Sequence, residues 1–266
     1  MQTINDTPSP ISNYIPDFTK YNKPILFRLL KKNLLKPDET FLQKYSQSKS
    51  NNWPSSIKNL SKFQSCYYLY PVIKENLEKK MQIEIESEIQ KLFDIDDISI
   101  FTQNCEIGEN ESYICSLIRT DSVEEFIAYV NRTNLSLLTK IKPSIYETNS
   151  FLIDKKPTLI EYAAFYGSIQ IIQYLKYNNV PLKFSLWLYA VHSNKAELIH
   201  FLEENEVKPV KNVNINYYSN NKEESYDDVL IESIKCHHNP ISNYIIDNLY
   251  DQIQVNDQNK FINNFG

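Results

Sequence analysis

Glycine is scarce in this chain, with 3 residues in 266. Tight β-hairpins and phosphate-cradling loops depend on glycine for left-handed backbone. Its scarcity argues against a β-rich fold and against most nucleotide-binding enzymes. Positive charge is not in excess either: 28 Lys and Arg stand against 33 Asp and Glu, a net charge of -5. A nucleic-acid binder needs a basic face to neutralise phosphates. Here the lysine pairs Lys31–Lys32, Lys79–Lys80 and Lys155–Lys156 are dispersed among acids, so no nucleic-acid partner is expected. Cys66, Cys105, Cys115 and Cys236 follow no regular spacing, which suits free thiols in a reducing compartment. No apolar run approaches the ~18 residues a bilayer span needs. Residues 1–20 lack the basic start and apolar stretch of a signal peptide. The expectation is a cytoplasmic protein with no membrane partner.

With 42% hydrophobic residues and many Tyr and Phe, the chain can bury a substantial core. Residues 1–23 read as an irregular leader. From Pro24 the apolar spacing of Ile25, Leu29 and Leu30 is helical, and Pro37 closes that segment. Asp38 resembles the cap of a short helix carrying Phe41, Leu42 and Tyr45; residues 46–54 read as a loop and 55–63 as another short helix. Residues 66–93 then predict one long helix, because Leu69, Ile73, Leu77, Met81, Ile85 and Ile89 form a stripe at four-residue spacing. Pro71 falls in its first turns, where a missing N–H is tolerated. That stripe is also a surface through which two copies could self-associate. Residues 94–109 read as a loop that ends an N-terminal helical region, 24–109. A second domain spans 110–252, and 253–266 is a tail.

In that second domain a two-helix unit recurs. Its clearest copy is Thr158-Leu159-Ile160-Glu161-Tyr162-Ala163-Ala164-Phe165-Tyr166-Gly167, followed by Ser168-Ile169-Gln170-Ile171-Ile172-Gln173-Tyr174-Leu175. Ile160, Ala163 and Ala164 give the first helix an inward stripe whose small residues allow close packing. Gly167 supplies a left-handed turn, and Ser168 is placed to cap the second helix. The same roles recur 27 residues on, with Trp187 for Ile160, Ala190 for Ala163, Asn194 for Gly167, and Leu198, Ile199 and Leu202 as the second-helix core. A third copy, 70 residues on, aligns Leu230, Ser233, Ile241, Tyr244 and Ile245, with His237 at the turn. A fourth, 46 residues back, aligns Ile114, Leu117, Asp121, Ser122, Phe126 and Tyr129.

TLIEYAAFYGSIQIIQYL resembles the ankyrin pattern. Thr158, Ala163, Ala164, Gly167, Ile171, Ile172 and Leu175 match it, while Leu159 and Glu161 stand where ankyrin repeats carry Pro and His. The stretch from about Tyr113 to Leu249 is similar to an uncharacterised domain found beside ankyrin repeats in protist proteins. It carries the strings SLIRTDSVEEFIAYV, PSIYETNSFL, SLWLYAVHSNKAELIHFLEE and IKCHHNPISNYIIDN. The resemblance implies an all-α fold: an N-terminal helical region followed by a short solenoid of degenerate ankyrin-type helix-turn-helix pairs. Ankyrin repeats run about 33 residues with a hairpin finger. The 27-residue step leaves too little chain for one, so an irregular stack is expected.

Chemistry is sparse. Cys236-His237-His238 offers zinc donors, but zinc sites normally take four ligands at recognisable spacings, and no second pair accompanies it. A turn is the expected role of these three residues. His192 and His200 flank a turn, yet no local signature marks any cysteine as a nucleophile for them. Glu124-Glu125, Glu203-Glu204, Glu223-Glu224 and Asp227-Asp228 are sequence neighbours, so they do not face one another across a cleft. No G-x-x-x-x-G-K, G-x-G-x-x-G or H-E-x-x-H is present. No catalytic residue, cofactor or metal is therefore expected.

The expected function is a non-catalytic adaptor that binds a protein partner of unknown identity on successive first helices and their turns. Candidate contacts are Glu161, Phe165 and Tyr166, then Tyr189, His192 and Ser193, then Glu232 and Cys236. Exposed Tyr217 and Tyr218, in a polar loop, are further aromatic candidates. Two readings stand beside it: a metal- or thiol-dependent enzyme using the Cys236-His237-His238 region, and a structural subunit of a larger assembly.

Overall fold

A computed structural model describes residues 23–37, 42, 60–209 and 225–250. Nearly all of the leader and of the 38–54 segment, most of the expected 55–63 helix, Tyr217, Tyr218 and the tail lie outside the described residues. Those described are helix-rich, with no strand among them, as an all-α chain requires. No described helix is long and apolar enough to cross a membrane. The chain divides into two compact units, residues 1–111 with 143–154, and residues 112–142 with 155–266.

The first unit contains α1 (Lys23–Lys31), α2 (Leu60–Ile73), α3 (Lys79–Phe93) and α4 (Ile98–Ile107). Its stripe of Leu69, Ile73, Leu77, Ile85 and Ile89 is buried together with Phe27, Tyr68, Phe101 and Tyr146. Residues 66–93 thus form two helices rather than one. Pro71 sits near the C-terminal end of α2, where it withholds an N–H from the helical ladder. Beyond it the backbone tightens into a 3₁₀ turn at Lys74–Asn76, and Leu77 is extended (φ -98°, ψ 148°) before α3 begins. Residues 94–109 also differ from the expected loop. Asp97 accepts the Ser99 N–H at 2.8 Å and starts α4, and Gly108 ends it at φ 73°.

Residues 143–154 return to this unit through long-range contacts. Thr148 donates to the Gly108 carbonyl from both its backbone N–H (3.2 Å) and its hydroxyl (2.7 Å). The Tyr146 ring meets Phe101 edge-on at 5.4 Å. Beside them Glu147 is buried at 6% exposure, and its Oε2 has no hydrogen-bond partner. Burial pushes its carboxyl above the usual range, against the downward pull of backbone donors at Asn149, Thr148 and Asn110. A carboxyl with a raised folded-state pKa favours the fold while protonated and opposes it once ionised. The first unit should therefore lose stability as pH rises from 4.5, the ordinary value, through the folded-state pKa. Glu147→Gln removes the ionisation, so it should raise the melting temperature at pH 7 and do so much less at pH 4. Melts at both pH values check this; an equal shift at both would contradict it.

Among the described residues the second unit holds four helix–turn–helix pairs: α5 (Tyr113–Arg119) with α6 (Val123–Thr133), α8 (Leu159–Tyr166) with α9 (Ile169–Tyr177), α10 (Leu186–Ser193) with α11 (Ala196–Glu204), and α12 (Tyr226–Lys235) with α13 (Asn239–Tyr244). The short α7 (Ser150–Lys155) precedes α8, and a π-helical turn, Ile245–Tyr250, extends α13. The Lys140–Thr158 bridge ties the chain entering α8 to the segment after α6. First helices pack in chain order, α5 on α8, α8 on α10, α10 on α12. Ala163 and Ala190, both fully buried, allow that close approach. Each turn carries a left-handed residue at the aligned position: Asp121 (φ 51°), Gly167 (φ 67°), Asn194 (φ 53°) and His237 (φ 57°). Asn and Asp tolerate this conformation because their short polar side chains bond locally.

Candidate functional site

The pairs are stitched together by the residue that follows each turn. Ser168 donates its hydroxyl to the Ile118 carbonyl, Lys195 Nζ donates to the Gly167 carbonyl at 2.7 Å, and His238 Nδ1 donates to the Val191 carbonyl at 2.6 Å. Each partner carbonyl lies at the end of the preceding first helix, where carbonyls lack intrahelical donors. Ser168 consequently does not cap α9, as its position had suggested. Asp121, from the turn before, does so by accepting the Gln170 and Ile171 N–H groups at 3.1 and 3.0 Å. A hydroxyl committed to a neighbouring carbonyl is not free to turn toward its own helix.

On the row of first helices, Phe165, His192, Glu232 and Cys236 come together. Phe165 stacks on the His192 imidazole with centroids 4.7 Å apart. His192 Nε2 lies 3.1 Å from Glu232 Oε1, and His192 Nδ1 lies 3.3 Å from Cys236 Sγ. Since a carboxylate only accepts, the consistent arrangement has Nε2–H donating to Glu232 and the Cys236 thiol donating to Nδ1. Glu232 and Cys236 are four apart, so the helix puts them on one face, and Lys235 Nζ holds the other Glu232 oxygen at 3.1 Å. Burial lowers the His192 pKa, against the opposite effect of Glu232. Burial, and next the Glu232 charge, push the Cys236 thiol up to about 11. The thiol is therefore protonated at neutral pH, and a protonated thiol is a poor nucleophile.

The other candidates serve different roles. Glu161 completes a capping box: its Oε2 accepts the Thr158 N–H and hydroxyl, each at 2.8 Å, while Oε1 accepts Ser185 Oγ at 3.0 Å. It forms one wall of a cavity of about 280 Å³ that Leu138, Ile160, Pro181, Lys183 and Leu186 also line. Tyr189 is buried. Ser193 donates to the Ala190 carbonyl at 2.7 Å and accepts the Lys195 N–H at 3.2 Å, closing its own turn. Tyr166 is half-buried, its ring centroid 5.0 Å from Phe165 and 4.9 Å from Tyr162.

The Cys236-His237-His238 run disperses: His237 is exposed at the turn, His238 is bonded to Val191, and only Cys236 joins the cluster. Lys195 and Lys235 are not singled out by the sequence, which places His238 in a turn rather than as a rung between pairs. Their signal was positional: Lys195 and His238 immediately follow the turn, and Lys235 lies three residues after Glu232. No family model, curated protein or solved structure matches the chain.

Proposed function

We propose that this chain is a non-catalytic protein–protein interaction module, that its four helix pairs are degenerate ankyrin-type repeats, and that a protein partner docks along the row of first helices. One observation carries the reading. Equivalent or adjacent positions of α8, α10 and α12 place Phe165, His192, Glu232 and Cys236 in one partly exposed row of mixed aromatic and polar character. A surface of that composition, fixed by hydrogen bonds between pairs, suits a binding face built from stacked repeats. A free thiol at Cys236 accords with a cytoplasmic setting. A thiol-dependent enzyme is less well supported, because burial keeps the Cys236 thiol protonated.

The test is capture of partners from the source cell's lysate by the full chain, followed by affinity measurement for whichever protein is enriched. Phe165→Ala/His192→Ala should weaken that partner by roughly 30-fold or more, the effect of losing about 2 kcal/mol at an interface hot spot. Gln173→Ala, an exposed change on the second helix α9, should leave binding intact. Unchanged affinity in a double variant whose circular dichroism matches wild type would place the interface elsewhere.

A further inference from the structure

The His192 cluster has a composition that the binding face does not require. A thiol, an imidazole and a carboxylate each contribute one donor atom, and these atoms all lie within 4.8 Å of one another. We propose that His192, Glu232 and Cys236 form a site for one zinc ion, completed by an exchangeable fourth ligand.

Donor–metal lengths of ~2.3 Å for sulfur and ~2.0–2.1 Å for nitrogen or oxygen place neighbouring donors of a tetrahedral site roughly 3.2–3.6 Å apart. The Sγ···Nδ1 separation, 3.3 Å, already has that length. Nδ1 is then the imidazole ligand, so Glu232 leaves Nε2 and rotates its side chain toward Cys236, with which it shares a helix face. Binding replaces the thiol proton with the metal, and the proton leaves to solvent. One thiolate, one carboxylate and a neutral imidazole offset a divalent charge completely, which suits a partly buried site.

The donor set also selects the ion. Thiolate and imidazole favour zinc, whereas magnesium and calcium prefer oxygen ligands throughout. The surroundings hold the ring for this role: Phe165 covers one imidazole face, and His192 sits at the end of α10, which packs against α12. Lys235, 65% exposed at its side chain, can swing from Glu232 into water when the metal takes the carboxylate. His238 stays committed to Val191. Side-chain exposures of 14% for His192 and 16% for Glu232 leave a path for the ion and for a fourth ligand from water.

The experiment titrates the full chain, metal-free and reduced, with Co²⁺ as a spectroscopic probe and then displaces it with Zn²⁺. Expected are one ion per chain, a thiolate-to-cobalt charge-transfer band, and its loss when zinc is added. Cys236→Ser should abolish the band, Cys66→Ser should preserve it, and Glu232→Gln should weaken zinc binding by at least ~10-fold. Absence of the band in wild type, or its persistence in Cys236→Ser, would overturn the site. Should a variant fail to fold, alkylation of the wild-type chain decides. Zinc must slow labelling at Cys236, mapped by peptide mass, and equal labelling with and without zinc refutes the proposal. Both readouts use the isolated chain, so a missing protein partner and a missing metal site give separable results.

Discussion

Trp187→Ala is expected to cost the second unit ~3–5 kcal/mol, the range for truncating a buried aromatic. The side chain is fully buried at the start of α10 and meets the Tyr226 ring edge-on at 5.5 Å, so it fills the space between the third and fourth helix pairs. Its indole N–H also donates to the buried Val207 carbonyl at 2.6 Å. Trp187→Phe separates the two contributions. It retains much of the ring volume but leaves that carbonyl without its donor, an expected loss of ~1–3 kcal/mol. Urea unfolding followed by far-UV circular dichroism reads both, with the midpoint falling in the order wild type, Phe, Ala. A loss below ~1 kcal/mol for Trp187→Ala would mean that the neighbouring pairs collapse into the space, and that the row of first helices is less rigid than its packing indicates.

The helix pairs were legible in the sequence because two local signals coincide there. Small or left-handed-tolerant residues mark each turn, and a paired apolar motif marks each second helix. Asp121, Gly167, Asn194 and His237 occupy positions that alignment alone equates, and all four have positive φ. Even His237 follows the pattern, as a residue type that, like Asn and Asp, enters the left-handed region more readily than most. The clustering of Phe165, His192, Glu232 and Cys236 was legible for the same reason, as equivalent or neighbouring positions of consecutive repeats stack.

What could not be read locally depends on distant partners. Cys236, His237 and His238 look like one cluster along the chain, but the end of a helix sends successive side chains in different directions, and the fold pairs Cys236 with a histidine 44 residues away. Glu161 looked available for a partner, yet the T-x-x-E spacing from Thr158 was itself a capping signal, and the carboxylate is consumed there. The return of residues 143–154 to the first unit rests on Thr148 reaching a carbonyl 40 residues earlier, and no periodicity reports such a contact. The division of residues 66–93 was signalled only by Pro71, whose effect depends on where α2 begins.

Gly167 has a stricter requirement than its three counterparts, and this leads to the second large effect. Asp121, Asn194 and His237 show that side chains are accepted at the left-handed position, so φ 67° alone does not demand glycine. The close approach of the next turn does. A Cβ on Gly167 would come within 2.5 Å of Lys195 Cδ and 3.0 Å of Ser193 Cβ. The lysine stem could move aside, but its ammonium is anchored on the Gly167 carbonyl at 2.7 Å, so movement sacrifices the rung between the two pairs. Ser193 is held by its own turn and has little room to retreat. Gly167→Ala should therefore cost ~1–2 kcal/mol, the left-handed backbone adding to the close contact with Lys195 and Ser193. Gly167→Val, which adds branching against the same atoms, should cost roughly 2–4 kcal/mol once overpacking is included. Adding Lys195→Ala to Gly167→Ala removes the nearer obstruction, so the double variant should be more stable than the two single losses predict, by about 0.5 kcal/mol or more. Strict additivity in that cycle, measured by urea unfolding, would show that backbone conformation, not the Lys195 stem, reserves this position for glycine.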